Sequence, residues 1–260
     1  MQWRLGVAGS PIEHSLSPQL HMAGLALAGL TGTSRRFELR EDQGSELRAL
    51  FGSEVDALSV TMPLKSVGAT LCDELDAAAR ELGVVSSMLW RDGKLWGATM
   101  DGQGFVDSLR GCYSFDFAHA HAVVLGAGGA ARAIVGALVD AGVQSVSVLG
   151  RTESKVADLV SRWNNVTGEM VLYRPVDLIV NTTPVASRVA DAAVMQGVSR
   201  DTVAVDITYD PRRSPWLALH EDYGCRSRNG LAMLAYQAAR QMNWWWDLDL
   251  DGAELLKAIS

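Results

Sequence analysis

The run His121-Ala122-Val123-Val124-Leu125-Gly126-Ala127-Gly128-Gly129-Ala130-Ala131 decides the fold. Its first five residues, apolar except for His121, read as a buried strand. The glycines end that strand, and the apolar stretch up to about Ala141 reads as a helix. Strand, glycine turn and helix in this order make the first half of a βαβ unit. Gly126, Gly128 and Ala131 stand at the three positions of the G-x-G-x-x-G/A pattern. Gly126 allows the tight turn, Gly128 lets backbone amides approach a pyrophosphate, and the helix N-terminus supplies positive potential. A dinucleotide held by Gly126, Ala127, Gly128, Gly129 and Ala130 is therefore expected.

The next predicted strand, Ser145–Leu149, indicates which dinucleotide. An NAD site usually places an acid about 20 residues beyond the glycines, on the ribose hydroxyls. This chain reads Gly150-Arg151-Thr152-Glu153-Ser154-Lys155 instead. Two cations and a hydroxyl, from Arg151, Lys155 and Thr152, suit a 2′-phosphate, since a guanidinium can fork onto its oxygens. NADP(H) is the expected cofactor. Glu153 is the one local feature against it, and alone Arg151 and Lys155 would pass for surface charges.

Further strands are predicted at Val176–Val180, Val203–Ile207 and Cys225–Ser227, then a helix over Gly230–Trp246 and a short acidic helix. Upstream, strands are predicted at Arg4–Ala8, Arg36–Leu39, Ala57–Val60, Val84–Trp90 and Lys94–Trp96. Helices fill the gaps at Pro18–Leu30, Gln43–Phe51 and Lys65–Leu75, and Asp101–Leu109 reads as a connecting helix. Arg91-Asp92-Gly93-Lys94 has the Asp-Gly of a hairpin turn. This alternation is the α/β signature.

The chain has 260 residues, 48% hydrophobic and 20% charged, enough for one large or two small domains. A net charge of −7 argues against nucleic acid, which needs a basic face. Three cysteines at wide spacing give neither a disulfide framework nor a metal site, and His14 and His21 lack flanking ligands. No G-x-S-x-G elbow supports a serine hydrolase. The apolar stretch in the first nine residues is too short for a signal peptide. No apolar run is long enough to span a membrane. A cytoplasmic protein with no membrane partner is expected. Trp244-Trp245-Trp246 reads as packing between the last helices, with a dimer contact as the second option, so monomer or homodimer stays open.

Three elements precede the glycine loop. Gly9-Ser10-Pro11-Ile12-Glu13-His14-Ser15-Leu16-Ser17-Pro18 ends in the N-cap and N1-proline order of a helix start. Ser15 and Ser17 would present hydroxyls where a carboxylate is favoured. Leu58-Ser59-Val60-Thr61-Met62-Pro63-Leu64-Lys65 carries one of only four lysines to a loop–helix turn. A partly desolvated lysine can move protons. Gly97-Ala98-Thr99-Met100-Asp101-Gly102 sets a carboxylate after a strand. Singly, these are a cap, a first-turn lysine and another cap.

In this order, ahead of the glycine loop, they closely resemble the shikimate dehydrogenase family. Its GxPIxHSxSPxxH motif stands as Gly9 through His21, and its VTxPxK motif as Val60–Lys65. Its GAGGAxR loop stands as Gly126–Arg132, and its NRTxxR segment as Gly150–Lys155. Asn181-Thr182-Thr183-Pro184, Asp206-Ile207-Thr208-Tyr209 with Ser214-Pro215, and Gly230 through Ala238 match three later motifs. The resemblance implies NADPH-linked reduction of 3-dehydroshikimate to shikimate, in the chorismate pathway to aromatic amino acids. It implies Lys65 and Asp101 as the catalytic pair and Ser15 and Ser17 on the substrate carboxylate. Thr61 would touch a ring hydroxyl, with Tyr209 and Gln237 lining the pocket. Asn181, Thr182, Thr183, Ile207 and Gly230 would complete the cofactor site. Residues 1–102 and 229–260 would form an α/β substrate-binding domain with a mostly parallel sheet. Residues 103–228 would form the Rossmann domain.

Two departures touch the wall that reads substrate hydroxyls. The family's GxVNTL is Gly83-Val84-Val85-Ser86-Ser87-Met88 here, so Ser86 replaces an asparagine, and its NTD is Thr99-Met100-Asp101. Serine reaches less far than asparagine and offers a hydroxyl for an amide. They leave two alternatives: a relative acting on quinate, an aminoshikimate or another cyclic hydroxy acid, and a non-catalytic NADP(H)-responsive binding protein. The retained lysine and carboxylate speak against the second.

Overall fold

The computed structural model describes residues 2–169, 175–183 and 195–260. The chain splits into two compact units, one of Met1–Phe105 with Leu234–Ser260, the other of Val106–Met233.

The first unit is built on a six-stranded mixed sheet. Its strands are β1 (Gln2–Gly9), β2 (Thr31–Glu38), β3 (Ala57–Val60), β4 (Glu74–Leu75), β5 (Ser87–Arg91) and β6 (Lys94–Ala98), in spatial order β2-β1-β3-β5-β6-β4. Three pairings are parallel, and β5 runs antiparallel to both neighbours. The β5–β6 hairpin turns through Asp92 and Gly93 at φ 53° and 74°, the left-handed pair such a turn requires. The helices are α1 (Ser17–Leu27), α2 (Gly44–Ala49), α3 (Lys65–Leu71), α4 (Ala77–Leu82) and the start of α5 (Asp101–Tyr113). A core of Leu47, Val55, Leu58, Leu64, Val85, Met88 and Leu95 packs on the sheet.

The second unit has a wholly parallel sheet. Its strands are β7 (His121–Leu125), β8 (Ser145–Leu149), β9 (Val166–Thr167), β10 (Leu178–Asn181), β11 (Val203–Asp206) and β12 (Arg226–Asn229). Their order is β9-β8-β7-β10-β11-β12. Numbered from β7, that is 3-2-1-4-5-6, the doubly wound Rossmann order. Helices α6 (Gly129–Asp140), α7 (Glu153–Val160) and α8 (Pro215–Asp222) connect strands. The closing helices are α9 (Leu231–Trp246) and α10 (Gly252–Lys257). Among the described residues no helix is long and apolar enough to cross a membrane.

The helix expected over Lys65–Leu75 ends at Leu71, because Glu74 and Leu75 pair with Trp96 and Gly97 of β6. Helix α4 is then capped by Asp76, whose carboxylate accepts from Ala79 N at 2.6 Å, and closed by Gly83 with φ 65°. Helix α1 begins one residue earlier than Ser17-Pro18 suggests. Leu16 is its cap and offers no side-chain acceptor, while the amide of Ser17 donates to Ser15 Oγ at 3.3 Å.

Candidate active site

In the first unit, the end of β1 lies against the β3–α3 turn. A Cβ on Gly9 would sit 2.4 Å from Thr61 Cγ2, so only glycine fits. Ser10 N donates to Met62 O at 3.0 Å and Thr61 N to Ala8 O at 2.9 Å. The next loop brings Ser15 and Ser17 together, buried, with their hydroxyls 3.2 Å apart. Arg36 on β2 donates to the Ser15 carbonyl from Nη2 at 2.6 Å and Nε at 3.1 Å, bracing that loop.

Lys65 opens α3 and Asp101 opens α5. Their side chains, 18% and 2% exposed, form an ion pair through Asp101 Oδ2. The other oxygen, Oδ1, is buried and accepts no hydrogen bond among the described residues. A carboxylate in a helix's first turn is favoured by the free amides there. One held by a single ammonium keeps acceptor capacity for another donor. Gly104, one turn on, touches α9. A Cβ there would meet the Gln237 backbone at 2.6 Å, so Gln237 lies close to the Asp101 turn.

Ser86 is 1% exposed, and its Oγ accepts from Met100 N at 2.8 Å. Its hydroxyl thus serves the turn that carries Asp101. The sequence reading did not anticipate Ser59, His21 and Gln241, which are buried and joined to Ser86 by hydrogen bonds. His21 closes the Gly9–His21 motif, whereas Ser59 and Gln241 are signalled only by polarity inside apolar stretches, Ser59 within Leu58–Val60 and Gln241 four residues beyond Gln237 on α9.

In the second unit, the switch point of the sheet falls between β7 and β10, where a doubly wound fold binds its ligand. Gly126 leaves β7 at φ 114°, and a Cβ there would come within 2.3 Å of Thr182 Oγ1. Thr182 bonds the Leu125 carbonyl from N at 2.9 Å and Oγ1 at 2.7 Å. Asn181 Oδ1 accepts from Thr183 N and Oγ1. Gly128 caps α6, and the space where its Cβ would stand is empty to 4 Å. That is the open cradle a pyrophosphate needs, followed by Gly129 and Ala130 in the helix's first turn. Arg151, Thr152 and Lys155 are exposed where β8 runs into α7. Gly230 packs on the Ile207 carbonyl, where a Cβ would come within 1.9 Å. Half-buried Tyr209 follows two residues after Ile207. These residues fit a bound NADP(H). The matching Pro184 lies outside the described residues.

Among the described residues no cluster of three or more histidine, cysteine or acidic side chains could hold a metal ion. The cysteines are free, and burial pushes the Cys72 thiol up to about 12.

A Rossmann unit joined to a unit bearing a half-buried lysine paired with a buried carboxylate has the form of a nicotinamide-dependent dehydrogenase. Residues 7–87 match the family described as shikimate dehydrogenase substrate binding domain, and residues 112–212 match shikimate / quinate 5-dehydrogenase. The chain belongs to the shikimate dehydrogenase family. It is 33% identical over 259 residues to shikimate dehydrogenase (NADP(+)) of Halothermothrix orenii, covering 93% of this chain and 90% of that one. To the Exiguobacterium sp. enzyme of the same name it is 34% identical over 266 residues, 98% of each. Among solved structures, shikimate 5-dehydrogenase from Thermus thermophilus, in complex with NADP(H) and shikimate, superposes with TM-score 0.88 at 29% identity. That match covers 99% of this chain and 98% of that one. Shikimate dehydrogenase from Aquifex aeolicus gives 0.89 at 28%, covering 99% and 97%.

Proposed function

We propose that this chain interconverts 3-dehydroshikimate and shikimate with NADP(H) as partner. The observation that carries the reading is the ion pair of half-buried Lys65 with buried Asp101 at the helix starts of the first unit. NADPH supplies the hydride when bound. The carbonyl oxygen then gains negative charge and needs a proton. The Lys65 ammonium gives it one and stabilises the developing charge, and Asp101 holds that ammonium in place. In the oxidative direction the neutral Lys65 amine takes the proton back. Asp101 Oδ1, without a donor among the described residues, is suited to a substrate hydroxyl.

Ser15 and Ser17 are assigned the substrate carboxylate, beside the N-terminus of α1. Thr61 is assigned a ring hydroxyl, and Tyr209 and Gln237 the pocket walls. Ser86 joins the wall through Met100. The glycine loop, Arg151, Thr152, Lys155, Asn181, Thr182, Thr183, Ile207 and Gly230 are assigned to the cofactor. Residues 1–102 with 229–260 serve the substrate and 103–228 the dinucleotide. The same reading takes the protein as cytoplasmic, a monomer or homodimer, with no nucleic-acid or membrane partner. Replacing Lys65 by Ala tests it: turnover should fall about 10²- to 10⁴-fold, while the KM for shikimate changes little. Unchanged turnover would remove the assignment.

A further inference from the structure

A chain of buried hydrogen bonds in the first unit ends on the backbone amide next to Asp101, and its direction is fixed at one end. The Ser86 carbonyl can only accept, so the group facing it at 2.9 Å is Gln241 Nε2. Gln241 Oε1 therefore faces Ser59, which must donate its single hydroxyl proton across 2.6 Å. Ser59 Oγ then accepts from His21 Nε2 at 2.9 Å. Burial pushes the His21 pKa down to about 3, so the ring is neutral, and Nδ1 accepts from Ser34 Oγ at 2.8 Å. At the other end, Ser86 N donates to Ala98 O, its carbonyl also accepts from Val60 N, and its Oγ accepts from Met100 N. Ser86 is thereby tied to β3, to β6 and to the residue immediately before Asp101.

Gln241 is 3% exposed, and its neighbours Ala238, Met242 and Trp245 are buried apolar groups. An amide in such a place costs stability unless both ends are bonded. Packing alone would be served by an apolar residue.

We propose that Gln241 is a positioning residue for the Lys65–Asp101 pair, acting through Ser86 on the Met100 amide. The proposal rests on the reading of that pair as catalytic. A misplacement of about an ångström at a reacting group can cost on the order of 10²-fold in rate.

The test is steady-state oxidation of shikimate with NADP⁺ by the full-length protein, Gln241→Met and Gln241→Glu. Methionine keeps the bulk and loses both hydrogen bonds. Its kcat should fall about 10- to 100-fold, with the KM for NADP⁺ unchanged and the far-ultraviolet circular dichroism retained. The glutamate variant gives a signature that a packing role lacks. Protonated, it can donate to the Ser86 carbonyl and accept from Ser59. Ionised, it sets an anion against that carbonyl. Its kcat relative to the parent should therefore rise as pH falls, whereas the ratio for Gln241→Met stays flat. His21 is the titratable group joined to this chain on the Ser59 side, and Asp101 with Lys65 lies beyond Met100. His21 is neutral across the assay range. A parent-like kcat for Gln241→Met, or a flat ratio for Gln241→Glu, overturns the proposal. Should Gln241→Met fail to fold, the glutamate ratio decides. Lys65→Ala separates the two levels. If it is inactive while Gln241→Met is parent-like, only the positioning role fails. If it remains active, the reading of the pair itself fails.

Discussion

Acid should destabilise this protein through one histidine. His21 is fully buried between Ser34 and Ser59 and is held neutral, its pKa lowered by burial from 6.5 to about 3. In the unfolded chain the same ring takes up a proton near pH 6.5. Between those values the unfolded state binds more protons than the native one, so stability falls as pH falls. The contribution is intact above pH 6.5 and is lost progressively below it. From pH 7 to pH 5, linkage with these two pKa values gives a loss of about 2 kcal/mol from this group. His220, also lowered by burial, adds in the same direction. Urea titrations of the parent and of His21→Gln at both pH values isolate the term. The variant starts less stable, because the ring's bonds are gone, but the gap to the parent should narrow by about 2 kcal/mol between pH 7 and pH 5. A gap that does not change with pH, or a His21 ring that titrates near its ordinary value by NMR in the native protein, would refute the reasoning.

Arg151→Ala should weaken NADP⁺ binding about tenfold or more and leave NAD⁺ binding almost unchanged, because a guanidinium fork serves the 2′-phosphate alone; titration calorimetry with both cofactors measures the difference. Gly104→Ala places a Cβ 2.6 Å from the Gln237 backbone, so α5 and α9 must part. Overpacking of that kind costs about 1–3 kcal/mol, which should appear as a lower Tm with reduced turnover.

Several elements were legible because local chemistry and tertiary pairing agree on them. Ala57–Val60, His121–Leu125 and Ser145–Leu149 are apolar runs bounded by turn residues, and all three are strands with those limits. The Asp92-Gly93 turn needs left-handed residues and has them. Strand β2 was caught only at its end. Its first half, Thr31–Arg35, is a polar stretch at the sheet edge, made a strand by pairing with β1. Strand β4 was hidden inside a helical pattern, and its two residues are extended only because β6 lies beside them. For the site, local pattern offers Lys65 and Asp101 as separate candidates 36 residues apart, only the family resemblance pairs them, and the fold brings them together. Ser59 and Gln241 meet across 182 residues, a contact no local pattern encodes. Ser86 looked like a shortened substrate ligand in sequence, and the structure ties its hydroxyl to the Met100 amide.

Formation of NADPH from shikimate and NADP⁺ by the purified protein, with quinate and NAD⁺ run beside them, tests the central claim most directly. Fast turnover on shikimate with NADP⁺, well above both alternatives, is the expected result. Tight NADPH binding with no turnover on shikimate would contradict it.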